Sequence, residues 1–155
     1  MKTISVLILS AFFVVSCSKS TVTNTPPPPS QWALNGKSYQ GDSTFLDSSY
    51  SLNYASMTSL APLDTGYVAI YFDILPTQNK TYNIITGVQL RPTNNQNCWV
   101  EFGNGITRYQ SLGGEHLNVT IVNRKVQAAF TNIALKNVYA PYDTVYASAT
   151  LYQNL

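Results

Sequence analysis

The chain has 155 residues, of which 10% are charged, against about 25% in an average soluble domain, and its formal net charge is +2. Its lysines and arginines are scattered, and only Arg124 and Lys125 are adjacent. This excludes the clustered positive charge that nucleic acids and acidic membrane surfaces require, so no nucleic-acid partner is predicted.

Residues 1–16 have the pattern of a secretory signal peptide. Lys2 supplies a positive charge, and residues 4–15 form an apolar run that only Ser5 and Ser10 interrupt. The run is too short for a membrane-spanning helix, which needs about 20 residues. We predict signal cleavage between Ser16 and Cys17, which makes Cys17 the first residue of the mature chain.

The small residue Ser16 followed by Cys17 resembles the lipobox of bacterial lipoproteins. In that family the cysteine receives a thioether-linked diacylglycerol before cleavage. The resemblance implies a membrane partner through lipid at Cys17 and a location in the bacterial cell envelope. Surface-exposed lipoproteins of this group often carry acidic residues after the cysteine, and residues 18–20 lack them. The preferred location is therefore the outer membrane facing the periplasm, with the cell surface as the alternative.

Residues 17–30 form the lipidated N-terminus and a tether that contains four successive prolines, 26–29. Such a run favours polyproline II structure at about 3.1 Å per residue, which makes a semi-rigid spacer. A proline-rich ligand for a partner domain is the alternative interpretation. Residues 31–155 are long enough for one globular domain with its own core.

The only cysteine besides Cys17 is Cys98. If Cys17 is acylated, Cys98 has no partner within the chain, and no disulfide stabilises the fold. Cys98 lies in a strand-like segment, where a lone cysteine behaves as a small buried hydrophobe rather than as a nucleophile.

Short apolar runs with strand periodicity follow one another from residue 31 onward. Trp32 and Tyr39 flank an Asn35-Gly36 pair, which predicts a tight hairpin. In residues 67–75, alternation predicts two faces of a strand that ends before Pro76. The inward face holds Val68, Ile70, Phe72 and Ile74, and the opposite face holds Tyr67, Ala69, Tyr71 and Asp73.

Further strands are predicted around residues 50–57, 80–86, 98–102, 108–112, 117–121, 126–135 and 145–153, with a polar loop at 92–96. The strand from residue 126 needs a bulge, because Phe130 and Ile133 cannot share one face at a strict period of two. Eight or nine strands favour an all-β fold, either an antiparallel sandwich or a small barrel. The one helix expected lies around residues 56–60.

The lipobox, the tether and two hairpins together look like the small β-rich lipoproteins common in Bacteroidota. The hairpins are Trp-x-Leu-Asn-Gly-Lys-x-Tyr from Trp32 and Gly-Gly-x-x-Leu-x-Val-Thr-Ile from Gly113 followed by Val-x-Ala-x-Phe. The resemblance implies an all-β fold and an envelope location, but no activity. O-glycosylation sites in these bacteria resemble Asp-Ser/Thr followed by an apolar residue or Thr, which Ser43 and Thr144 match.

The titratable residues predict neither catalysis nor a metal site. His116 is the only histidine, and its neighbour Glu115 points to the opposite face if both lie on a strand. The acidic residues are distributed singly, and Asp73 and Glu101, which lie within predicted strands, are expected on a solvent face. We therefore predict no catalytic residue, no metal site and no cofactor.

Aromatic residues are the remaining signal, since the chain contains 11 tyrosines and 2 tryptophans. Tyr67, Tyr71 and Trp99 project opposite the aliphatic faces of their strands, as in a surface that binds a sugar or a protein. Cross-strand packing is the structural alternative. We expect a non-enzymatic envelope module that binds a protein partner or a glycan. The alternative function is a structural envelope component without a small-molecule ligand.

Overall fold

The computed structural model describes residues 26–49, 54–87, 95–140 and 142–155. The predictions of a signal peptide, of cleavage after Ser16 and of lipidation at Cys17 lie outside these ranges. The predicted strand positions Tyr50 and Leu52 and most of the predicted loop at 92–96 also lie outside them.

Eleven β-strands and one 3-10 turn form the regular structure of the described ranges, which confirms the all-β class. The strands are β1 (Gln31–Leu34), β2 (Lys37–Gln40), β3 (Ser43–Ser49), β4 (Tyr54–Leu60), β5 (Tyr67–Phe72), β6 (Lys80–Ile84), β7 (Asn97–Asn104), β8 (Thr107–Ser111), β9 (His116–Val122), β10 (Lys125–Asn137) and β11 (Thr144–Tyr152). The pattern expected eight or nine strands and did not predict β3, whose serine-rich sequence lacks clear apolar alternation.

The strands form one sheet that closes partly on itself. Its order is β2-β1-β11-β10-β9-β6-β7-β5-β4-β3, and β8 pairs with both β7 and β10. The ring β10-β9-β6-β7-β8 is therefore a small closed barrel, in which only the β6–β7 pair is parallel. Strands β11, β1 and β2 extend the sheet from β10, while β5, β4 and β3 extend it from β7. Of the two predicted architectures, the structure contains the small barrel.

The inward faces follow the predicted alternation, with one exception. Val68, Ile70 and Phe72 of β5 are fully buried, as predicted. Ile74 was expected on the same face but is 62% exposed. The reason is that β5 ends at Phe72 and the chain bends at Asp73 and Ile74, so the alternation no longer applies.

Three hairpin turns use positive φ angles. Asn35 (φ 48°) and Gly36 (φ 78°) join β1 to β2, which confirms the predicted hairpin, because the two-residue type I′ turn needs positive φ at both positions. Gly105 (φ 62°) begins the turn from β7 to β8. Asn123 (φ 51°) and Arg124 (φ 64°) join β9 to β10.

The predicted bulge in β10 is confirmed. Phe130 lies opposite Ala149 and Ile133 opposite Ala147, so β10 has one residue more than β11 in this stretch. Asn132 adopts a left-handed conformation with φ 52°. As a result, Phe130 and Ile133 both face the core, at 4% and 0% exposure.

The predicted helix around residues 56–60 is wrong. These residues belong to β4, which is hydrogen-bonded to β3 on one side and to β5 on the other. Pairing on both edges of the strand outweighs any local helical preference. The helical turn that the structure does contain is the short 3-10 turn Pro62–Asp64.

A chain of three buried hydroxyl groups joins the start of β1 to β3 and β4. The Ser30 and Thr44 hydroxyls are 2.6 Å apart, and Thr44 Oγ1 donates to Ser59 Oγ at 2.8 Å. Ser30 Oγ also accepts a bond from the backbone N–H of Tyr152 at 2.8 Å. All three side chains are fully buried, so the packed interior includes Ser30, the residue directly after the prolines.

Candidate functional site

The three aromatic residues predicted as a binding surface lie on the outer face of β5 and β7. Tyr71 is directly opposite Trp99, and Tyr67 is directly opposite Gly103. The alternate positions on the same two strands point inward. They are Val68, Ile70 and Phe72 on β5 and Cys98, Val100 and Phe102 on β7, and all are fully buried in the core. The structure therefore brings all three aromatic residues to one face.

Tyr71 and Trp99 form a parallel stack across the two strands. Their ring centroids are 3.9 Å apart and their planes differ by 12°. Trp99 is only 8% exposed, while Tyr71 is half-buried. Of the stacked pair, Tyr71 is thus the ring that a partner molecule can contact, and Trp99 supports it from below.

Glu101 is buried on this outer face, and its carboxylate accepts three hydrogen bonds. Tyr67 Oη donates to Oε1 at 2.5 Å, while Arg108 and Gln110 of β8 donate to Oε2 at 2.6 and 3.1 Å. The expectation that Glu101 faces solvent is wrong, because the residue is only 2% exposed. A buried carboxylate is tolerable when charged and neutral donors satisfy it, as they do here.

Burial and hydrogen bonding change the ionisation of the two residues that contact Glu101. Partial burial, and next the hydrogen bond to Glu101, raise the pKa of Tyr67 to about 12. The hydrogen bond to Glu101 also raises the pKa of Arg108, so the guanidinium stays charged. The cluster is therefore one persistent ion pair together with a neutral phenol.

Gly103 provides the space that Tyr67 occupies. A Cβ atom at Gly103 would lie 1.9 Å from Cε1 of Tyr67, so the tyrosine ring lies directly on the glycine backbone. This close approach positions the hydroxyl over Glu101. The alternation of β7 alone did not predict it, because the signal is a single glycine in an otherwise regular strand.

Four large apolar side chains are exposed on three neighbouring loops, and we call these four side chains the apolar rim. The loops are the one before β5, the turn from β7 to β8 and the loop after β10. The loops are adjacent because Tyr67 pairs with Gly103 and Val138 N–H donates to the Arg108 carbonyl at 2.8 Å. The rim consists of Leu63, Ile106, Tyr139 and Tyr142, which are 95%, 94%, 68% and 98% exposed. The sequence pattern did not predict the rim. The signal that was present is an apolar residue in each turn, where no packing requires an apolar side chain.

A second surface feature is an open concavity of about 520 Å³ on the outer face of β2, β1, β11 and the β10 bulge. Its lining residues include no charged side chain. The outward-facing polar residues that line it are Gln31, Ser38, Gln40, Thr131, Ser148 and Thr150. It is separate from the aromatic face of β5 and β7.

The remaining predicted residues lie apart from these surfaces. Cys98 is fully buried, and burial raises the pKa of its thiol to about 12, as expected of a packing residue and not of a nucleophile. His116 is exposed at the start of β9, whereas Oε1 of Glu115 accepts a bond from Ala134 N–H at 3.0 Å. Ser43 and Thr144 are each the first residue of a strand, half-buried and exposed respectively.

Comparison with protein families, with curated proteins and with solved structures finds no match to this chain. Within the described ranges, no helix has the length and hydrophobicity needed to cross a bilayer. The same part of the chain holds no group of three or more His, Cys, Asp or Glu side chains placed to bind a metal ion.

Proposed function

We propose that this chain is a lipid-anchored, non-enzymatic module of the bacterial cell envelope that binds a protein partner through its apolar rim and the adjoining face of Tyr67 and Tyr71. The observation that carries the proposal is the rim itself, where four large apolar side chains are exposed to solvent on neighbouring loops. Single exposed apolar residues are ordinary, but a group of them marks an interaction surface.

The composition of this surface supports a protein partner. Tyrosine and arginine are enriched among the residues that dominate protein–protein binding energy. Here Tyr67 is held by Glu101, Tyr71 is held by its stack on Trp99, and Arg108 lies in the same cross-strand row as Tyr67, on the other side of Gly103. Side chains that are already fixed lose less conformational entropy when a partner binds.

The position of the tether supports the same function. Pro26, Pro27 and Pro28 line a groove with Lys125, at the start of β10. The rim residue Tyr139 follows the other end of β10, a strand of 13 residues that spans up to about 40 Å. If lipid on Cys17 anchors the chain, the tether joins the domain at one end of β10 and the rim lies at the other, away from the membrane.

Site-specific photo-crosslinking in the producing cell tests the binding surface. A photo-reactive amino acid at Ile106 or Tyr139 should give the same discrete protein adduct. The matched control is Ile74, which is also exposed but lies at the opposite end of β5. Identical adducts from Ile74, or none from the rim, would contradict the proposal. An adduct with a second copy of the chain would favour the alternative, a structural envelope component.

The anchor is tested separately by metabolic labelling with a palmitate analogue. The wild-type chain should incorporate the label and remain with the membrane fraction after a high-salt wash. Cys17→Ala should lose both properties, because it lacks the thiol that would carry the diacylglycerol, and with it the acyl chains that stable anchoring needs. Equal labelling of the two proteins would rule out Cys17 as the attachment site, independently of the crosslinking result.

A further inference from the structure

We propose that the concavity on β2, β1, β11 and the β10 bulge is a binding site for a neutral oligosaccharide. This site is distinct from the apolar rim and does not depend on the function proposed for it. Its volume of about 520 Å³ lies within the range of small-molecule sites, about 300 to 1,000 Å³.

The shape of the concavity follows from the register of three strands. Ser38, Ala33 and Ser148 lie side by side in one row across β2, β1 and β11, and these small side chains form its floor. In the next row, Gln40, Gln31 and Thr150 lie side by side and form a wall of longer side chains. The depression is therefore produced by side-chain size along two adjacent rows.

The β10 bulge borders the floor on the side of β11 away from β1. Thr131 of the bulge lines the concavity, and the left-handed Asn132 donates its backbone N–H to Ser148 Oγ at 2.9 Å. Bulges commonly re-aim side chains beside functional sites. Because Ser148 Oγ accepts this bond, its hydroxyl keeps one proton that it can donate to a ligand.

The chemistry of the lining selects the ligand class. Amide groups of Gln31 and Gln40 and hydroxyls of Ser38, Thr131, Ser148 and Thr150 both donate and accept hydrogen bonds, as sugar hydroxyls do. None of the lining residues is a lysine or arginine that would bind a phosphate, sulfate or uronate group, and the ammonium of Lys37 is placed over the Tyr39 ring, 5.1 Å from its centroid. Of the aromatic lining residues, Trp32 and Phe130 are 3% and 4% exposed, and Tyr39 is half-buried with its ring stacked on Trp32, so the aromatic rings offer little free surface to an acyl chain.

The substitution that tests the site is Ala33→Leu, which fills the floor. Ala33 is half-buried on the outer face, so the larger side chain projects away from the core. The matched control is Thr120→Leu, an exposed position on the outer face of β9, which β10 separates from β11 and the concavity. A second variant, Gln31→Ala with Gln40→Ala, keeps the shape and removes hydrogen-bonding groups. Thermal unfolding establishes that each variant is folded.

The full-length chain, purified in detergent, is titrated with maltohexaose, cellohexaose and mannohexaose, with hexagalacturonate as the charged comparison. At least one neutral hexasaccharide should bind with a Kd below about 1 mM, which corresponds to about −4 kcal/mol. Ala33→Leu and the double glutamine variant should each weaken binding at least about tenfold, which is 1.4 kcal/mol. Thr120→Leu and a rim variant, Ile106→Ser, should bind as the wild type does.

The proposal is overturned if none of the neutral hexasaccharides binds, if hexagalacturonate binds equally well, or if Ala33→Leu leaves the affinity unchanged. Sedimentation of the same proteins without sugar identifies a different occupant. A dimer that Ala33→Leu dissociates would show that the concavity is an interface between two copies of the chain. The rim is tested by photo-crosslinking and the concavity by sugar binding, so failure of one proposal leaves the result for the other unchanged.

Discussion

The hydroxyl of Tyr67 donates a 2.5 Å hydrogen bond to Glu101, which lies on the neighbouring strand and is only 2% exposed. The tyrosine ring thereby covers a carboxylate that would otherwise face water. This relationship connects the barrel to the surface that we propose for partner binding, and it has measurable consequences for stability and ionisation.

The ionisation of Tyr67 should make stability depend on pH in the alkaline range. Its pKa is about 12 in the folded chain against 10.0 for the ordinary side chain. Below pH 10 the phenol is protonated in both states, so its contribution to stability is complete. As pH rises from 10 to 12, the unfolded chain loses the proton first, and the contribution is lost.

Urea unfolding at a series of pH values checks this prediction. Between pH 10 and 12 the free energy of unfolding should fall more steeply for the wild type than for Tyr67→Phe. With ¹³Cζ-labelled tyrosine, one resonance should titrate near pH 12 and be absent in the variant. Parallel stability profiles for the two proteins would contradict the assigned pKa.

Gly103→Ala should displace the Tyr67 ring, because the new Cβ would lie 1.9 Å from it. We expect a loss of about 2 kcal/mol in the free energy of unfolding, typical of overpacking. The pKa of Tyr67 should fall toward 10 as the ring moves away from Glu101. In a Tyr67→Ala background, Gly103→Ala should cost little, and additive effects in this double-mutant cycle would show that the contact is absent.

Arg108→Leu should destabilise the fold more than replacement of both partners does. Removing Arg108 leaves the Glu101 carboxylate buried with neutral donors only, at a cost of about 2 kcal/mol. The double variant Arg108→Leu with Glu101→Gln removes the charge as well and should recover at least half of the loss. Chemical unfolding of the four proteins measures the coupling, and a double variant less stable than Arg108→Leu would refute it.

Arg124→Gly should stabilise the chain by about 1 kcal/mol. Arg124 occupies the second position of the β9–β10 turn with φ 64°, a conformation that costs a side-chain-bearing residue roughly that amount. Glycine at the neighbouring strand position, Lys125→Gly, should instead destabilise. A rise in the thermal midpoint for the first variant alone is the expected result, whereas equal effects would contradict the turn geometry.

Thr44→Val should destabilise through the buried hydroxyl chain. Valine retains the shape of threonine but removes the group that joins Ser30 to Ser59. Leaving buried hydroxyls without this partner should cost about 2 kcal/mol. Thr44→Ser keeps the hydroxyl and should lose less, so the difference between the two variants in chemical unfolding isolates the hydrogen bonds from the packing.

Local patterns predicted much of the barrel because they depend on neighbouring residues alone. The alternation in β5 correctly predicted that Val68, Ile70 and Phe72 lie in the core. The three-residue spacing of Phe130 and Ile133 does not match the strand period of two, and this mismatch predicted the bulge. The predictions failed for residues 56–60 and for Ile74. There, pairing with other strands or an early strand end changed the structure, and neither effect is visible in a short stretch of sequence.

By itself, the sequence determined the all-β class, the Asn35-Gly36 turn and the inward faces, since strand periodicity and permitted φ angles are properties of a few adjacent residues. Only the tertiary structure decided which outward-facing residues meet. Tyr67 reaches Glu101 across 34 positions, and Ala33 lies between Ser38 and Ser148 because β1 pairs with both β2 and β11. Strand register sets these contacts, and it arises from packing the whole sheet around one core.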